Sequence, residues 1–314
     1  MTAEILTVTV NPALDVNSSV AAMIPQQKLR CTPPHYMPGG GGINVSRAIR
    51  ELGVESHAFV VLGGGTGAHY RKLLEDRGIA AEIWPAEGET RFSFSVLDES
   101  RGNHYRYVLP GPAMAATEGD RILARLSQMT AAGYRYVVAS GSLTSGLLPD
   151  FYGRLADLAR GHGARLVLDT QGEALRGALP YHPHVIRLAD YEARDLLGTA
   201  NRTPAELAQS LCAETQAEIV IITLGEQGAV CCTETRCFEV RPPRVDVHSA
   251  VGAGDSFVAA LTIGLTRRWS IENAVRYAVA AAASAITTSF NELCEREAVD
   301  RYFFEIGGSM DRAA

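Results

Sequence analysis

The run Val251-Gly252-Ala253-Gly254-Asp255-Ser256 places two glycines and an acid where an extended segment gives way to an apolar helix. Glycines let the backbone approach a ligand closely, and the free N–H groups of a first helical turn favour negative charge. A phosphoryl group in transfer carries such charge, so the backbone of Gly252, Ala253 and Gly254 is a candidate anion hole. Asp255 is a candidate base for an attacking hydroxyl, although an acid in this place also stabilises its own helix dipole.

Short apolar runs alternate with helical patterns on the N-terminal side of this turn, and further helical patterns follow it. The strands are predicted at Ile5–Val10, His57–Leu62, Tyr136–Ala139, Arg165–Asp169, Val185–Leu188 and Ile219–Leu224, and the helices at Ile43–Leu52, Tyr70–Arg77, Pro149–Arg160, Tyr191–Leu197, Ala205–Cys212, Gly254–Leu265, Ile271–Thr287 and Arg296–Glu305. Strands that are apolar throughout and alternate with helices indicate a mainly parallel sheet covered on both faces. The sequence therefore predicts one α/β domain with three layers.

Two stretches, about residues 16–36 and 89–109, break this rhythm. The second contains the alternations Phe92-Ser93-Phe94-Ser95-Val96 and Tyr105-Arg106-Tyr107-Val108, which are typical of antiparallel strands. A small sheet cannot bury both of its faces alone. We expect it to cover the active site as a lid or to pair with another subunit.

A second glycine turn, Pro38-Gly39-Gly40-Gly41-Gly42-Ile43-Asn44, precedes another helix. Four consecutive glycines cost considerable backbone entropy, which favours a close ligand contact over a purely structural turn. Asn44 at the helix start is placed either to donate to a sugar hydroxyl or to cap the helix. The run Thr223–Ala229 also contains glycines, and a simple hairpin explains it equally well.

Charged residues occur in both irregular stretches. Asp15, Lys28 and Arg30 belong to the first, and Arg91 and Arg106 to the second. If these stretches form a lid, their cations lie over the sugar site, because arginine and lysine both bind phosphate. Otherwise they are solvated surface residues.

Composition limits the class of protein. Of the 314 residues 46% are hydrophobic, the formal net charge is −6, and no basic stripe suggests nucleic acid. The six cysteines lack the paired spacing of a zinc site, and Cys231-Cys232 lies in an apolar run, so we expect reduced core thiols. Because no signal peptide is evident and no apolar run reaches the roughly 20 residues of a membrane helix, we expect a soluble cytosolic protein.

Together these motifs resemble the ribokinase-like (phosphofructokinase B) sugar kinase family over nearly the whole chain. The resemblance rests on Thr7–Asp15, Lys28–Thr32, Pro38–Ala48, Tyr105–Gly111, Ser140–Leu143, Gly172–Leu175, Val251–Ser256 and Leu293-Cys294. It implies a ribokinase-like three-layer α/β/α fold with a β-sheet lid, which is often shared between subunits of a homodimer. It also implies ATP as co-substrate and Mg²⁺ as metal, with K⁺ as a further candidate ion.

The resemblance also assigns roles. It makes Asp255 the base and the backbone of Gly252, Ala253 and Gly254 the anion hole. Sugar-phosphate binding falls on Asp15, Lys28, Gly40, Asn44, Arg91, Arg106 and Ser140. Nucleotide binding falls on Arg187, Thr223, Gly225, Gly228 and Gly254, and Glu192 would organise Mg²⁺ through water.

Several positions depart from the family pattern on the nucleotide side. Ala189 stands where the family's N-x-x-E motif has asparagine, Ala250 replaces a threonine, and Phe290 replaces a glycine. An alanine side chain cannot orient a water molecule. We therefore expect a kinase whose use of MgATP is weakened.

The resemblance implies phosphorylation of a ketohexose phosphate, foremost fructose 6-phosphate to fructose 1,6-bisphosphate. Tagatose 6-phosphate and fructose 1-phosphate are close alternatives, since they differ in one stereocentre or in which end is phosphorylated. A phosphosugar-binding sensor with little catalysis is the alternative of another class.

Overall fold

The computed structural model describes residues 3–288 and 292–309. The strands are β1 (Ile5–Thr9), β2 (Ala13–Val20), β3 (His35–Gly39), β4 (His57–Leu62), β5 (Ala81–Pro85), β6 (Arg91–Asp98), β7 (Asn103–Val108), β8 (Tyr136–Ser140), β9 (Arg165–Asp169), β10 (Val185–Ala189), β11 (Ile219–Thr223), β12 (Ala229–Thr233) and β13 (Cys237–Val240). The α-helices are α1 (Gly41–Glu51), α2 (Gly64–Asp76), α3 (Ala116–Thr130), α4 (Phe151–Gly161), α5 (Gly172–Ala178), α6 (Asp190–Leu197), α7 (Pro204–Thr215), α8 (Ala253–Thr266), α9 (Ile271–Ala285) and α10 (Arg296–Glu305). Short 3₁₀ turns occupy Leu179–Tyr181 and Gly225–Gln227.

Within these residues the large sheet has nine strands in the order β13-β12-β11-β10-β9-β8-β1-β4-β5. All neighbours are parallel except β12, which is antiparallel to both β11 and β13. The strands are apolar throughout because both faces are buried. Helices α3 to α7 cover one face, and α1, α8, α9 and α10 cover the other. The predicted three-layer α/β/α fold is therefore confirmed.

The chain changes direction across the sheet beside β1. From β1 it runs to β4 and β5 on one side, and later to β8 and β9 on the other. In open parallel sheets a crevice forms at the carboxyl ends of the strands where the order reverses. The polar residues Ser140, Asp169 and Thr223, which end β8, β9 and β11, lie along this edge.

A separate sheet of four strands, β3-β2-β6-β7, takes strands from both irregular stretches. The existence of this small sheet confirms the prediction, but its pairing differs from the antiparallel strands expected. Strand β2 runs parallel to β6, while β2–β3 and β6–β7 are antiparallel. Parallel pairing results because β2 and β6 come from distant parts of the chain and not from one hairpin.

Three further expectations about elements need correction. Helix α3 was not predicted, although Ile122, Leu126 and Met129 have helical spacing and pack in the core. Helix α2 begins at Gly64 and not at Tyr70, since its first turn consists of the glycine-rich run. The extended segment before Val251 forms no strand.

The cysteines differ in part from the reduced state expected. Cys231 is a free and buried thiol, as are Cys212 and Cys294. Cys232 forms a disulfide with Cys237 because the two residues stand opposite each other on the antiparallel pair β12–β13. The expectation of a reduced thiol is therefore wrong for Cys232.

Among the described residues, none of the helices has both the length and the apolar character needed to cross a membrane. Phe290, one of the departures from the family pattern, lies outside the described residues.

Candidate active site

A cleft of about 2280 Å³ lies between the carboxyl edge of the large sheet and the small sheet. Its walls include almost every residue assigned to the site from sequence. The residues brought together here are Asp15, Gly40, Asn44, Arg91, Arg106, Ser140, Arg187, Glu192, Thr223, Gly225, Gly228, Gly252, Ala253, Gly254 and Asp255. Lys28 is the exception, because it is exposed and does not line the cleft.

Asp255 lies in the first turn of α8, where the chain enters the helix through Gly252. Gly252 has φ of +82°, a backbone conformation that strains any residue with a side chain, and a Cβ there would come within 2.7 Å of Leu293 Cδ2. This turn aims the first N–H groups of α8 into the cleft. Among the described residues, Asp255 is thus the acid in the first turn of this helix, where an anion could bind.

The carboxyl group of Asp255 accepts a hydrogen bond from Asn44 Nδ2, with 2.9 Å to Asp255 Oδ2. Burial raises the pKa of Asp255 to about 7, and the negative charge of Asp169 adds to the shift. Asn44, Arg187 and Arg47 act in the opposite direction. A carboxyl group with a pKa near neutrality suits proton transfer at ordinary pH.

The glycine run before α1 is packed against the ends of two strands. A Cβ on Gly41 would lie 2.3 Å from Ser140 Oγ, and one on Gly42 would lie 2.5 Å from Val8 O. Gly40, which lines the cleft, has φ of +114°. Close packing of protein on protein therefore requires glycine at positions 41 and 42, and Gly41 lines the cleft as well, so a ligand contact of this run stays a prediction.

A buried acid surrounded by arginines forms the side of the cleft next to the small sheet. Burial raises the pKa of Asp15, although Arg106, Arg47 and Arg91 oppose the shift. Arg106 Nε donates to Ser93 Oγ at 3.2 Å, and Arg91 Nη2 donates to the carbonyl of Asn11 at 3.1 Å. Several cations converging on one cavity wall would attract a phosphorylated ligand.

The opposite side of the cleft holds a hydrogen-bonded chain along the sheet edge. Ser140 Oγ donates to Asp169 Oδ2 at 3.0 Å, and Arg187 Nη1 donates to Asp169 Oδ1 at 3.0 Å. Arg187 Nη2 donates to Thr223 Oγ1 at 2.8 Å. The same guanidinium lies against Gly254, whose Cβ would be 3.0 Å from Arg187 Nη1. A buried cation therefore adjoins the anion-binding turn.

The start of α6 contains the changed metal motif. Ala189 precedes the helix, and its N–H donates to Glu192 Oε2 at 2.6 Å. The hydroxyl of Tyr191 donates to Glu192 Oε1 at 3.1 Å. Among the described residues no cluster of three or more metal-binding side chains occurs. Mg²⁺ in phosphoryl-transfer sites needs only one or two carboxylates, because phosphates and water complete its shell.

Some buried polar atoms of the cleft have no hydrogen-bond partner in the described part of the chain. They include Asp15 Oδ1, Arg91 Nε and Arg187 Nε. Buried polar groups are normally paired, so such atoms indicate places where water or a ligand completes the bonding.

Two cleft residues were missed by the sequence reasoning. Asp169 had been noted only as the end of a strand, and Arg47 had not been considered. The position of Asp169 at the carboxyl end of a parallel strand was a usable signal. Arg47 follows Asn44 by three residues and so lies on the same side of α1.

Cations on one side of a cleft and an anion-binding helix start on the other suit the transfer of a phosphoryl group to a sugar. The chain belongs to the pfkB family of carbohydrate kinases, whose family model matches residues 11–295. It is 39% identical over 302 residues to the ATP-dependent 6-phosphofructokinase isozyme 2 of Mycobacterium tuberculosis, covering 95% of this chain and 88% of the relative.

A solved structure shares the fold closely. Phosphofructokinase-2 from Escherichia coli in complex with potassium superposes with a TM-score of 0.92 at 34% identity, covering 97% of this chain and 99% of the other. A further relative, the 1-phosphofructokinase of Bacillus subtilis, is 29% identical and covers 92% of this chain and 93% of its own length. The expected family and fold are therefore confirmed.

Proposed function

We propose that this protein transfers the γ-phosphoryl group of ATP to the 1-hydroxyl of fructose 6-phosphate, giving fructose 1,6-bisphosphate and ADP. The observation that carries the proposal is the place of Asp255. It is held by Asn44 at the anion-binding start of α8, between the arginine-lined side of the cleft and the Arg187 side. An acceptor hydroxyl and a donor phosphate would meet there.

The sugar phosphate would bind between the two sheets. Arg91 and Arg106 would hold its phosphate. Its hydroxyl groups would bind to the residues that line the same part of the cleft, which are Asp15, Gly40, Asn44 and Ser140. The 1-hydroxyl oxygen then attacks the γ-phosphorus as the bond to the β-phosphate oxygen breaks. Its proton passes to Asp255, and the N–H groups of Gly252, Ala253 and Gly254 stabilise the charge on the transferring group.

The nucleotide would lie along the carboxyl edge of β10 and β11, near Arg187, Thr223, Gly225 and Gly228. Gly225 and Gly228 form the tight turn after β11, with φ of +60° and +93°. Arg187 would bind the phosphates as a bidentate donor. Mg²⁺ bound to ATP would neutralise the phosphates, with Glu192 holding a water of its shell. A requirement for K⁺ is tested by replacing it with tetramethylammonium in the assay.

A coupled assay over fructose 6-phosphate, tagatose 6-phosphate and fructose 1-phosphate tests the proposal. We expect the highest kcat/KM with fructose 6-phosphate and a loss of about 10²- to 10⁴-fold in Asp255→Asn, because the base is removed. Asp246→Asn is the matched control, since Asp246 is an exposed acid outside the cleft. Activity that survives in Asp255→Asn would contradict the role of the base.

A thermal-shift titration with the same sugar phosphates and with ATP separates a kinase from a phosphosugar sensor. A sensor would show thermal stabilisation by the sugar phosphate and none by ATP. The raised pKa of Asp255, which has a physical cause and suits proton transfer, favours the kinase.

We also propose that the protein forms a homodimer through the outer face of the small sheet. Side chains alternate between the two faces along a strand. The residues that directly follow Asp15, Ser93 and Arg106 in the sequence therefore face away from the cleft. Val16, Phe94 and Tyr107 stand side by side across the sheet with Tyr36, and we call these four residues the outer row. Tyr36, Phe94 and Tyr107 are 38%, 37% and 50% exposed. An apolar row of this kind is typical of a contact surface.

A further inference from the structure

Arg47 projects from α1 into the cleft wall, one turn after Asn44. Its Nη1 donates to Asn44 Oδ1 at 3.0 Å and to the carbonyl of Pro38 at 3.4 Å. Asn44 in turn donates to Asp255. Arg47 is therefore joined to the carboxyl group of Asp255 through one amide.

The chemistry of the partners fixes the orientation of that amide. A guanidinium group has only donors, so the group facing Arg47 must be the amide oxygen of Asn44. The amide nitrogen is then directed at Asp255 Oδ2, which an ionised carboxyl group requires. The reversed amide would place an oxygen against the carboxylate and an N–H group against the cation, and both contacts would be repulsive.

Charges from several elements face this pair. Arg47 is repelled by Arg77, which directly follows α2, and attracted by Asp15 and Asp255, while Tyr70 faces it as a neutral phenol. Asp255 faces Asp169 on β9, Arg187 on β10 and the Asn44–Arg47 pair on α1. Arg47 is the cation on α1 that acts on both Asp15 and Asp255. It can therefore influence the sugar side and the base together.

We propose that Arg47 is a positioning residue, which fixes the amide of Asn44 toward Asp255 and favours the ionised form of that carboxyl group. The proposal rests on the function proposed above, in which Asp255 is the base. Arg47 itself is assigned no contact with the transferring group.

The pH profile of kcat/KM tests this role, with Arg47→Met as the main variant. Loss of the cation should move the acidic limb to higher pH. We expect the loss of kcat/KM in Arg47→Met to be at least about threefold larger at pH 6 than at pH 9, because at the higher pH the carboxyl group is ionised with or without the cation. Arg50→Met is the matched control, because Arg50 is an exposed arginine on the same helix that donates to Gly78 O. A loss that is equal at both pH values would overturn the proposal.

A double-mutant cycle separates action through Asn44 from a general effect. At pH 9, Arg47→Met should lower kcat/KM by a smaller factor in the Asn44→Ala background than in the wild type, because the amide is already absent. An equal decrease of kcat/KM in both backgrounds would contradict the link through Asn44. If Arg47→Met does not fold, Arg47→Gln takes its place in the pH profile, since its neutral amide still donates to Asn44 while the acidic limb should still shift.

A readout without catalysis keeps this proposal distinct from the proposed function. The thermal unfolding midpoints of wild type and Asp255→Asn are compared across pH, with and without Arg47→Met. Removing Arg47 should raise the pH at which Asp255 titrates in the folded protein. An unmoved titration would contradict the role of Arg47, whereas a wild type without kinase activity would contradict only the proposed function.

Discussion

At the scale of single residues, Asp255 is governed by two opposing sets of neighbours. Burial and the negative charge of Asp169 raise its pKa, while Asn44, Arg187 and Arg47 lower it. The result, about 7, leaves the carboxyl group close to half ionised at neutral pH in the absence of ligands. Small changes around it should therefore alter the fraction of competent enzyme.

We predict that kcat/KM of the wild type rises with pH through a limb near 7. The base must be deprotonated to accept the proton, and kcat/KM reports the ionisation of the free enzyme. The measurement is a pH series at low substrate concentration, in which a control shows that the coupling enzymes do not limit the measured rate at any pH. A flat profile between pH 5.5 and 8.5 would contradict the assignment, whatever the absolute rate.

The same shift predicts an effect on stability. The folded protein holds the proton of Asp255 more tightly than the unfolded chain does. Between pH 3.8, the ordinary pKa of the group, and about 7, its pKa in the folded protein, its contribution to the free energy of unfolding therefore falls as pH rises. Asp255→Asn removes this contribution. The melting temperature of Asp255→Asn relative to wild type should therefore increase from pH 5 to pH 8, and a difference that does not depend on pH would argue against a raised pKa.

The sequence predicted Asp255 and Asn44 as residues of the cleft because each stands beside a glycine turn that marks a helix start. It was not sufficient for Arg47 and Asp169, whose importance depends on what the fold places opposite them. Lys28 remains an assignment from resemblance, since it is exposed and outside the cleft of its own chain.

At the scale of elements, the start of α6 combines a weak cap with the altered metal motif. Ala189 occupies the N-cap with φ of −80° and ψ of 158°, and its side chain makes no capping hydrogen bond. Glu192 accepts from the Ala189 N–H at this helix end. Restoring the family's asparagine would therefore change both the helix and the site.

We predict that Ala189→Asn stabilises the fold by about 1 kcal/mol, the usual gain from a capping side chain. It should also lower KM for MgATP or raise kcat by about ten- to a hundred-fold, equivalent to about 1–3 kcal/mol, if the missing side chain limits the reaction. The matched control is Ala115→Asn, because Ala115 is the uncapped N-cap of α3 and lies outside the cleft. It should raise the melting temperature without changing the kinetics.

An Ala189→Asn variant whose kinetics match those of Ala115→Asn would disprove weakened MgATP use through this position. Ala250 also lines the cleft, and its replacement by threonine is the next change to test.

The bounds of strands were predicted well where hydrophobic periodicity decides them. The direction and register in which strands pair were predicted poorly. The apolar strands His57–Leu62 and Arg165–Asp169 were located to the residue. The parallel alignment of β2 with β6 joins residues far apart in sequence, so local alternation carries no information about it. The Cys232–Cys237 disulfide depends on the same kind of register.

At the scale of the whole molecule, the small sheet presents a polar face to the cleft and an apolar face to the outside. The outer row lies on that apolar face, with Phe92 stacked beside Phe94. Covering this face would remove exposed aromatic surface from water, which stabilises association.

We predict that Phe94→Asp shifts the protein from dimer to monomer, because it places a charge in the middle of the apolar row. Sedimentation velocity over a range of protein concentrations measures the change. Phe304→Asp is the matched control, since Phe304 on α10 is an exposed phenylalanine away from the small sheet. A wild type that is monomeric at all concentrations would contradict the proposed dimer.

Lys28 gives a second prediction at this scale. Its loop joins β2 to β3 of the small sheet, and the family resemblance assigns Lys28 to sugar-phosphate binding. Lys28→Ala should raise KM for the sugar phosphate and leave KM for MgATP unchanged. Lys72→Ala is the control, because Lys72 is the other lysine of the chain and is exposed on α2. Equal effects of the two changes would make Lys28 an ordinary surface residue.

The packing of Gly41 and Gly42 against β8 and β1 has a consequence for laboratory evolution. A substitution at either position would disturb the fold before it affected chemistry, because the space for a side chain is already occupied by Ser140 and Val8. A library screened only for soluble expression should therefore retain both glycines as strictly as one screened for turnover. Asp255 should vary more than either glycine in the first screen and remain fixed in the second, so the two screens together would separate the scaffold of the site from its chemistry.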